Sequence, residues 1–202
     1  MKYLLISALW IGYCSLHSYL ISIRFTNLMT RLLKNYYAFY RLFFILISCF
    51  LLILLINFTT QLDNEVIIFY AGPLNVVRQI LAYTSLTMFF WAFFFNYDSL
   101  SFFGIRQILN AMKRNKMNSK NEVKKRGLLG IVRHPMYLAL IIFLWCETFS
   151  MADIIVYTIL TVYIIIGTIL EEKKLVLEFG NAYVEYQKKV PMLIPFAIRK
   201  VK

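Results

Sequence analysis

The chain has 202 residues, of which 60% are hydrophobic and 17% aromatic, a balance outside that of ordinary soluble domains. Its formal net charge is +12, but the basic residues stand between apolar segments and no nucleic-acid recognition module is visible, so nucleic-acid binding is not predicted. The composition therefore predicts an all-α, polytopic membrane protein that forms a single integral-membrane domain over residues 1–202.

Long uncharged runs predict about five transmembrane helices, because about 20 residues with a rise of 1.5 Å each cross the hydrocarbon layer. A tight connection joins the last two runs, which we interpret as a helical hairpin. The segment 66–74 is apolar but too short to cross and contains Gly72-Pro73, so we expect an interfacial segment there. The predicted spans are residues 3–23, 42–61, 79–97, 135–146 and 154–170.

The lysines and arginines of the connections predict the orientation of the chain. The first connection carries Arg24, Arg31 and Lys34, and the third is also rich in basic residues. The second carries Asp63 and Glu65 and has no basic residue before position 78. The positive-inside rule therefore predicts the N-terminus outside and the C-terminus in the cytoplasm, in a bacterial inner membrane. The basic third connection is either a topology signal or a contact with anionic membrane lipids.

With this topology, polar side chains from several spans fall toward the cytoplasmic face. Any one charged residue could simply extend to the lipid headgroups. A set of ionisable groups at one membrane face instead indicates a functional site. The residues concerned are His17, Tyr40, Arg41, Asp98, Arg133, His134 and Glu171.

The sequence after Glu171 becomes amphipathic, with apolar or aromatic residues spaced by three and four positions. The spacing predicts a C-terminal helix that caps the cytoplasmic-side site and ends before Pro191. Its aromatic stripe either packs against the bundle or forms a wall of the site. The stripe consists of Leu175, Phe179, Tyr183 and Tyr186.

The residue types at this face fit a zwitterionic, cationic, nucleoside-like ligand. Arginine and imidazolium pair with a carboxylate, glutamate pairs with an ammonium or with ribose hydroxyls, and aromatic faces accept a sulfonium or a flat base. The only two histidines, His17 and His134, lie on distant predicted helices, so no metal site is predicted.

Four motifs of the C-terminal half resemble the isoprenylcysteine carboxyl methyltransferase and phospholipid methyltransferase superfamily. They are Arg-His-Pro-Met-Tyr at 133–137, Glu-Glu at 171–172, Phe-Gly-x-x-Tyr-x-x-Tyr at 179–186 and Val-Pro-Met-Leu-Ile-Pro at 190–195. Within it, the N-terminal half resembles the NnrU-like branch, which includes methanethiol S-methyltransferase. That part of the resemblance rests on residues 10–18, 40–41 and 98–107.

The resemblance implies a membrane methyltransferase that uses S-adenosylmethionine. Arg133 and His134 would face the carboxylate end of this cofactor, the glutamate pair its amine or ribose, and the tyrosines its base or sulfonium. The chain departs from the family pattern at Ala139, where glycine is usual, and at Leu129, where an aromatic residue is usual. The implied cofactor-binding residues are Arg133, His134, Pro135, Tyr137, Ala139, Glu171, Glu172, Tyr183 and Tyr186.

The methyl acceptor is expected to be a small thiol or a similar hydrophobic molecule. A prenylcysteine carboxylate or a phospholipid is the second alternative, and a non-catalytic NnrU-like membrane protein linked to nitrogen-oxide metabolism is the third. His17, Arg41 and Asp98 are candidate catalytic residues, because a thiol reacts as its thiolate; His17 could instead be a histidine hydrogen-bonded between helices. The candidate acceptor-binding residues are His17, Tyr40, Arg41, Asp98 and Gln107.

Overall fold

The computed structural model of the protein describes residues 1–63, 65–96, 100, 103–106, 108–109 and 127–195. The regular secondary structure of these residues is helical, apart from one isolated backbone bridge between Ile68 and Phe149. Short 3-10 segments cover Lys34–Phe39 and Gly127–Gly130, and a π-helical turn covers Ala92–Asn96. The α-helices are α1 (Lys2–Ile21), α2 (Ile23–Leu33), α3 (Tyr40–Leu62), α4 (Pro73–Trp91), α5 (Pro135–Leu144), α6 (Met151–Phe179) and α7 (Asn181–Lys189).

Four helical stretches of the described chain are long and apolar enough to cross a bilayer. The predicted class, a helical membrane protein, is thereby confirmed. Helix α5 is apolar but has only 10 residues, about 15 Å of rise against a hydrocarbon layer of about 30 Å. The fifth crossing stays a prediction. The four stretches are Lys2–Ile21, Tyr36–Leu62, Pro73–Phe95 and Met151–Phe179.

Two helices are longer than hydropathy alone predicts, because charged residues inside them have internal partners. Helix α4 starts at Pro73, ahead of predicted residue 79, and includes Arg78, which donates to Asn75 Oδ1 at 3.1 Å. Helix α6 continues to Phe179, well past predicted residue 170, through Glu172, whose carboxylate is paired in the interior. Because the spans were predicted from runs without charged residues, the prediction began α4 after Arg78 and ended α6 before the glutamate pair.

The contacts of the chain divide it into two compact units. The first comprises residues 1–68, 99–118 and 149–160. In its core, Trp10 Nε1 donates to Thr59 Oγ1 at 3.0 Å, which ties α1 to α3. The buried apolar side chains of this core are Ile6, Trp10, Ala152 and Val156.

Asp63, directly after α3, connects the end of that helix to the starts of α1 and α6 in the first unit. Its carboxylate accepts from Lys2 Nζ at 3.1 Å and from the backbone N–H of Ala152 at 3.0 Å. The second of these bonds satisfies a donor in the first turn of α6, where a negative charge is favourable. Helix α6 starts with a capping box, in which Ser150 N donates to Asp153 Oδ2 at 2.9 Å and Asp153 N donates to Ser150 Oγ at 3.1 Å.

The second unit comprises residues 69–98, 119–148 and 161–202 and contains the candidate site. Here α4 packs along α5, and the turn at Ala92–Asn96 contacts Gly127–Gly130. At the other end, Arg78 Nη1 donates to the carbonyl of Cys146 at 2.9 Å. Helix α5 therefore runs antiparallel to α4 and ends where α4 begins.

Candidate functional site

The Arg-His-Pro segment is held to the residues after α7 by its backbone. Arg133 N donates to the carbonyl of Pro191 at 2.9 Å, and His134 N donates to that of Met192 at 3.2 Å. Pro135 occupies the first position of α5, where its missing N–H is not needed. Two motifs that are far apart in the sequence are therefore neighbours.

Arg133 forms a buried, two-point ion pair with Glu172. Its Nε and Nη2 atoms lie 2.5 Å and 2.7 Å from the two carboxylate oxygens. Its Nη1 atom donates to the carbonyls of Gln187, at 3.1 Å, and of Val190, which the end of α7 leaves without helical donors. One guanidinium thus joins the segment before α5 to both α6 and α7.

The carboxylate of Glu172 has further partners on each oxygen. Oε1 lies 3.2 Å from His134 Nε2 and 3.5 Å from the hydroxyl of Tyr183, while Oε2 accepts from Gln187 Nε2 at 3.1 Å. The imidazole nitrogen facing the carboxylate is best assigned as protonated, because a carboxylate only accepts hydrogen bonds. Glu172 is thus saturated by protein groups.

The tyrosines of α7 also have internal partners. Tyr183 and Tyr186 are both buried, with ring centroids 5.7 Å apart. The hydroxyl of Tyr186 donates to the carbonyl of Leu129 at 2.5 Å, and burial raises its pKa to about 12, which keeps it a neutral donor. Burial, with the nearby charge of Glu172, likewise raises the pKa of Tyr183. The aromatic stripe of this helix therefore packs inward.

Two polar groups of the cluster face away from this network. His134 Nδ1 is buried and has no hydrogen-bond partner among the described residues. The nearest carboxylate oxygen, on Glu171, lies 3.9 Å away, and the side chain of Glu171 is 35% exposed. The ring of Tyr137 stacks on the imidazole at a centroid distance of 5.6 Å. His134 Nδ1 and the carboxylate of Glu171 thus form a pair of hydrogen-bond acceptors, called the acceptor pair below, beside the ring of Tyr137.

This acceptor pair suits a ligand that brings hydrogen-bond donors and positive charge. In the imidazole tautomer that has its N–H toward Glu172, Nδ1 of His134 would be a hydrogen-bond acceptor, and Glu171 contributes a carboxylate within reach of solvent. No group of three or more His, Cys, Asp or Glu side chains that could hold a metal ion occurs in the described ranges.

The remaining predicted cofactor residues, Pro135 and Ala139, are fully buried at the start and in the middle of α5. Gln187, by contrast, was not predicted, although its side chain and its carbonyl both serve the cluster. It stands beside the predicted Tyr186, but no periodicity or motif spacing distinguishes it from its polar neighbours. Its hydrogen bond to Glu172 depends on the tertiary packing of α6 against α7, which the sequence pattern does not give.

Three predicted acceptor-side residues lie in the first unit. The ring of His17 is 5.0 Å from that of Phe44, measured between centroids, and the hydroxyl of Tyr40 donates to the carbonyl of Leu20 at 2.8 Å. Arg41 packs against Gly104, where an added Cβ would lie 3.0 Å from Arg41 Cβ. Asp98 and Gln107 lie outside the described residues.

These observations define a polytopic helical membrane protein with a buried Arg-Glu-His cluster near the C-terminal end of its longest described helix. The chain belongs to the family described as "Protein of unknown function (DUF1295)", whose model matches residues 21–190. No solved structure matches the chain.

Relatives with curated names carry the name methanethiol S-methyltransferase. The one from Pseudomonas deceptionensis is 40% identical over 94 residues, covering 46% of this chain and 36% of the relative. Those from Crocosphaera subtropica and Bradyrhizobium diazoefficiens are 33% and 32% identical, covering 62% and 51% of this chain and 51% and 40% of the relatives. The chain thus spans about a third to a half of their length, and the resemblance predicted from the motifs is confirmed.

Proposed function

We propose that this protein is an S-adenosylmethionine-dependent membrane methyltransferase that acts on a small thiol entering from the bilayer. The observation that carries the proposal is the buried Nδ1 of His134, which lacks a partner in the described chain, next to the partly exposed carboxylate of Glu171. The name shared by the relatives supports S-methylation of methanethiol as the reaction class.

The acceptor pair fits the donor groups of S-adenosylmethionine. Arg133 is already paired with Glu172, so His134, expected to face the carboxylate end of the cofactor, is reassigned here: its Nδ1 and Glu171 would accept from the ammonium and the ribose hydroxyls. The stacked rings of His134 and Tyr137 offer faces for positive charge. Bound there, the cofactor supplies a methyl group already activated on a sulfonium. Arg133 and Glu172, saturated by each other and by α7, would hold the pair in place.

Pro135, Ala139, Tyr183 and Tyr186 would support the cofactor site without touching the reacting atoms. Pro135 fixes the start of α5 next to His134, and Ala139 fills a fully buried position one turn further along that helix. The hydroxyl of Tyr186 holds the carbonyl of Leu129. We thus divide the implied cofactor-binding residues into two groups. One group would contact the cofactor and consists of His134, Tyr137 and Glu171. The other would support these residues by packing behind them.

On the acceptor side, the chain would have to generate and hold a thiolate. We assign removal of the thiol proton to the imidazole of His17 and stabilisation of the thiolate to the guanidinium of Arg41. Tyr40, Asp98 and Gln107 would complete the acceptor site. The thiolate sulfur would take the methyl carbon from the sulfonium, which would leave as a neutral thioether, so alignment and exclusion of water would be the main contributions of the protein.

The proposed architecture has five crossings, with α5 and α6 as a hairpin and α7 as a cap on the cytoplasmic side. Two contacts inside the second unit support the hairpin: Trp145 Nε1 donates to Thr161 Oγ1 at 3.0 Å, and His134 Nε2 lies 3.2 Å from Glu172 Oε1. The separations of these pairs along the chain increase away from the turn, as antiparallel helices require.

The sharpest test compares two glutamates on α6, Glu171→Gln and Glu178→Gln. Both variants lose one carboxylate charge from the same helix, but Glu178 is exposed and makes no contact with the His134 cluster. Equilibrium dialysis of purified protein against labelled S-adenosylmethionine should show binding weakened about tenfold or more for Glu171→Gln, the effect of losing a charged hydrogen bond. Glu178→Gln should bind within about twofold of the unchanged protein. Equal affinities in all three, or no saturable binding at all, would refute the proposal.

The acceptor class is tested with the same protein and a cofactor labelled on its methyl group. Methanethiol should give a volatile labelled sulfide, whereas a prenylcysteine or phospholipid acceptor would give a labelled product that extracts into organic solvent. Label only in the second fraction would replace the thiol by a lipid-like acceptor. Saturable cofactor binding without transfer to any acceptor would favour the non-catalytic alternative.

A further inference from the structure

Helix α2 (Ile23–Leu33) is a separate element between two helices of spanning length. Ser22 is extended after α1, and its hydroxyl accepts from Phe25 N at 3.3 Å, which starts the helix anew. Lys34, with φ of +46°, ends it. Its 11 residues rise about 16 Å, roughly half the hydrocarbon thickness, so α2 cannot cross the bilayer.

The residues of α2 separate into an apolar face and a polar face. At 100° per residue, the positions that share the apolar face carry only large hydrophobic side chains. The polar face carries Arg24, Thr26, Asn27, Thr30 and Arg31, with the first helical residue, Ile23, among them. The apolar face consists of Phe25, Leu28, Met29, Leu32 and Leu33.

Part of this apolar face packs against the protein, since Phe25 and Met29 are partly buried. The ring of Phe25 lies 5.0 Å from that of Tyr19 and 6.3 Å from that of Tyr40, measured between centroids. Leu28 and Leu32 are 47% and 64% exposed, and no residue of α2 is buried. An amphipathic helix with that much uncovered apolar surface requires a hydrophobic surrounding.

The charged residues of α2 and of its C-cap are all positive. Arg24, Arg31 and Lys34 belong to the helix or its C-cap, and the first acidic residue of the chain is Asp63, beyond the far end of α3. Because α1 and α3 both have spanning length, the ends that α2 joins lie at one membrane face. The anionic phosphates of phospholipids are the complementary charges at that depth.

We propose that α2 lies in the plane of the membrane interface and forms a binding surface for anionic phospholipid headgroups. Leu28 and Leu32 enter the boundary between headgroups and acyl chains. Arg24, Arg31 and Lys34 bind the phosphates from above. This surface uses none of the residues assigned to the cofactor site, and it does not depend on the methyltransferase proposal.

The depth of α2 is tested with a fluorescent label in nanodiscs that contain lipids brominated on their acyl chains. In a background with Cys14, Cys49 and Cys146 replaced by alanine, an environment-sensitive probe is attached at Leu32→Cys or, as the matched control, at Asn27→Cys. The probe at position 32 should be strongly quenched and blue-shifted, and the probe at position 27 should stay close to its emission in water. Equal emission at both positions would overturn the proposal. A blue-shifted but unquenched probe at position 32 would also overturn it, since protein, from a partner or a second copy, would then cover the face.

The charge preference is tested by removing two basic residues from each of two helices. Binding of phosphatidylglycerol to the full-length protein is compared between R24Q/R31Q and K188Q/K189Q, which lose the same charge from α2 and from α7. The first variant should bind it at least fivefold more weakly, because each basic residue near an anionic surface contributes about that factor. The second should stay within about twofold. Equal losses in both variants, or no loss in either, would reject the lipid assignment.

Discussion

At the residue scale, the most informative group is the guanidinium of Arg133. Its pairing with Glu172, and its bonds to the carbonyls of Gln187 and Val190, connect three segments through one side chain. A buried ion pair of this kind is costly to break, because the remaining charge then has no compensation. Arg133 and Glu172 therefore have a structural importance that a cofactor-binding role alone would not require.

We expect Glu172→Gln to destabilise the protein by about 3 kcal/mol, since the guanidinium would be left buried without its anion. The free energy of unfolding, followed by helical circular dichroism during titration with a denaturing detergent, measures this effect. Glu185→Gln is the control, because it removes an exposed carboxylate 2.7 Å from Lys188 Nζ and should change stability by less than about 0.5 kcal/mol. A loss for Glu172→Gln no larger than that of the control would show that the buried pair does not hold the cluster.

The sequence could predict which residues belong to this cluster. It could not predict which of the two glutamates is buried against Arg133. Glu171 and Glu172 are adjacent, and neighbours on a helix point about 100° apart, so only one of them can face a given partner. Which one does so depends on the rotation of α6 against α5. The structure has Glu172 inside, against Arg133, and Glu171 partly exposed, against His134 Nδ1.

At the scale of single elements, the break between α6 and α7 depends on Gly180. Its φ of +57° is a conformation that L side chains adopt only at a cost, and no heavy atom lies within 4 Å of the position a Cβ would take. The requirement is therefore conformational and not steric. The break sets the direction of α7, which carries Tyr183, Tyr186 and the carbonyls that Arg133 caps.

Gly180→Ala should therefore destabilise the protein by about 1–3 kcal/mol. Gly180→Asn should cost about as much, because a φ of +57° with a ψ of −139° lies outside the left-handed helical region that asparagine tolerates. Gly167→Ala is the matched control: Gly167 lies inside α6 with no atom within 4 Å of an added Cβ, and alanine favours a helix interior. Thermal unfolding in one detergent should rank Gly167→Ala equal to or above the unchanged protein, and both Gly180→Ala and Gly180→Asn below it. If Gly180→Ala matched Gly167→Ala, the positive φ would not constrain this turn.

The bounds of a helix could be predicted from the sequence where hydropathy alone determines them. The spans predicted at 3–23 and 42–61 correspond closely to α1 and α3, whose lysine and arginine, Lys2 and Arg41, stand within the first two helical positions. The start of α4 and the end of α6 were not predictable in this way, because Arg78 and Glu172 are charges that only tertiary partners make acceptable. Helix α2 has no long uncharged run, so hydropathy did not predict it. Its amphipathic pattern indicates an interfacial helix only once α1 and α3 on either side are known to have spanning length.

At the scale of the whole molecule, the question is whether the chain crosses the membrane at α5. The helix is short, but the residues before it, Val132 to His134, are buried, and non-helical backbone is tolerated at membrane depth where protein covers it. The bond from Arg78 to the carbonyl of Cys146 brings the end of α5 to the start of α4. A complete crossing by residues 127–146 accounts for both observations.

We therefore expect five crossings, and cysteine accessibility separates this count from four. Single cysteines replace Glu65, Thr148 and Lys188, which are all exposed, in the background without native cysteines, and intact cells are treated with a maleimide that does not cross membranes. With five crossings and the N-terminus outside, positions 65 and 148 are labelled in intact cells and position 188 only after permeabilisation. If α5 stays on the cytoplasmic side, positions 65 and 188 are labelled together and position 148 is protected. The pattern at position 148 thus decides the count, because its side changes only when α5 crosses.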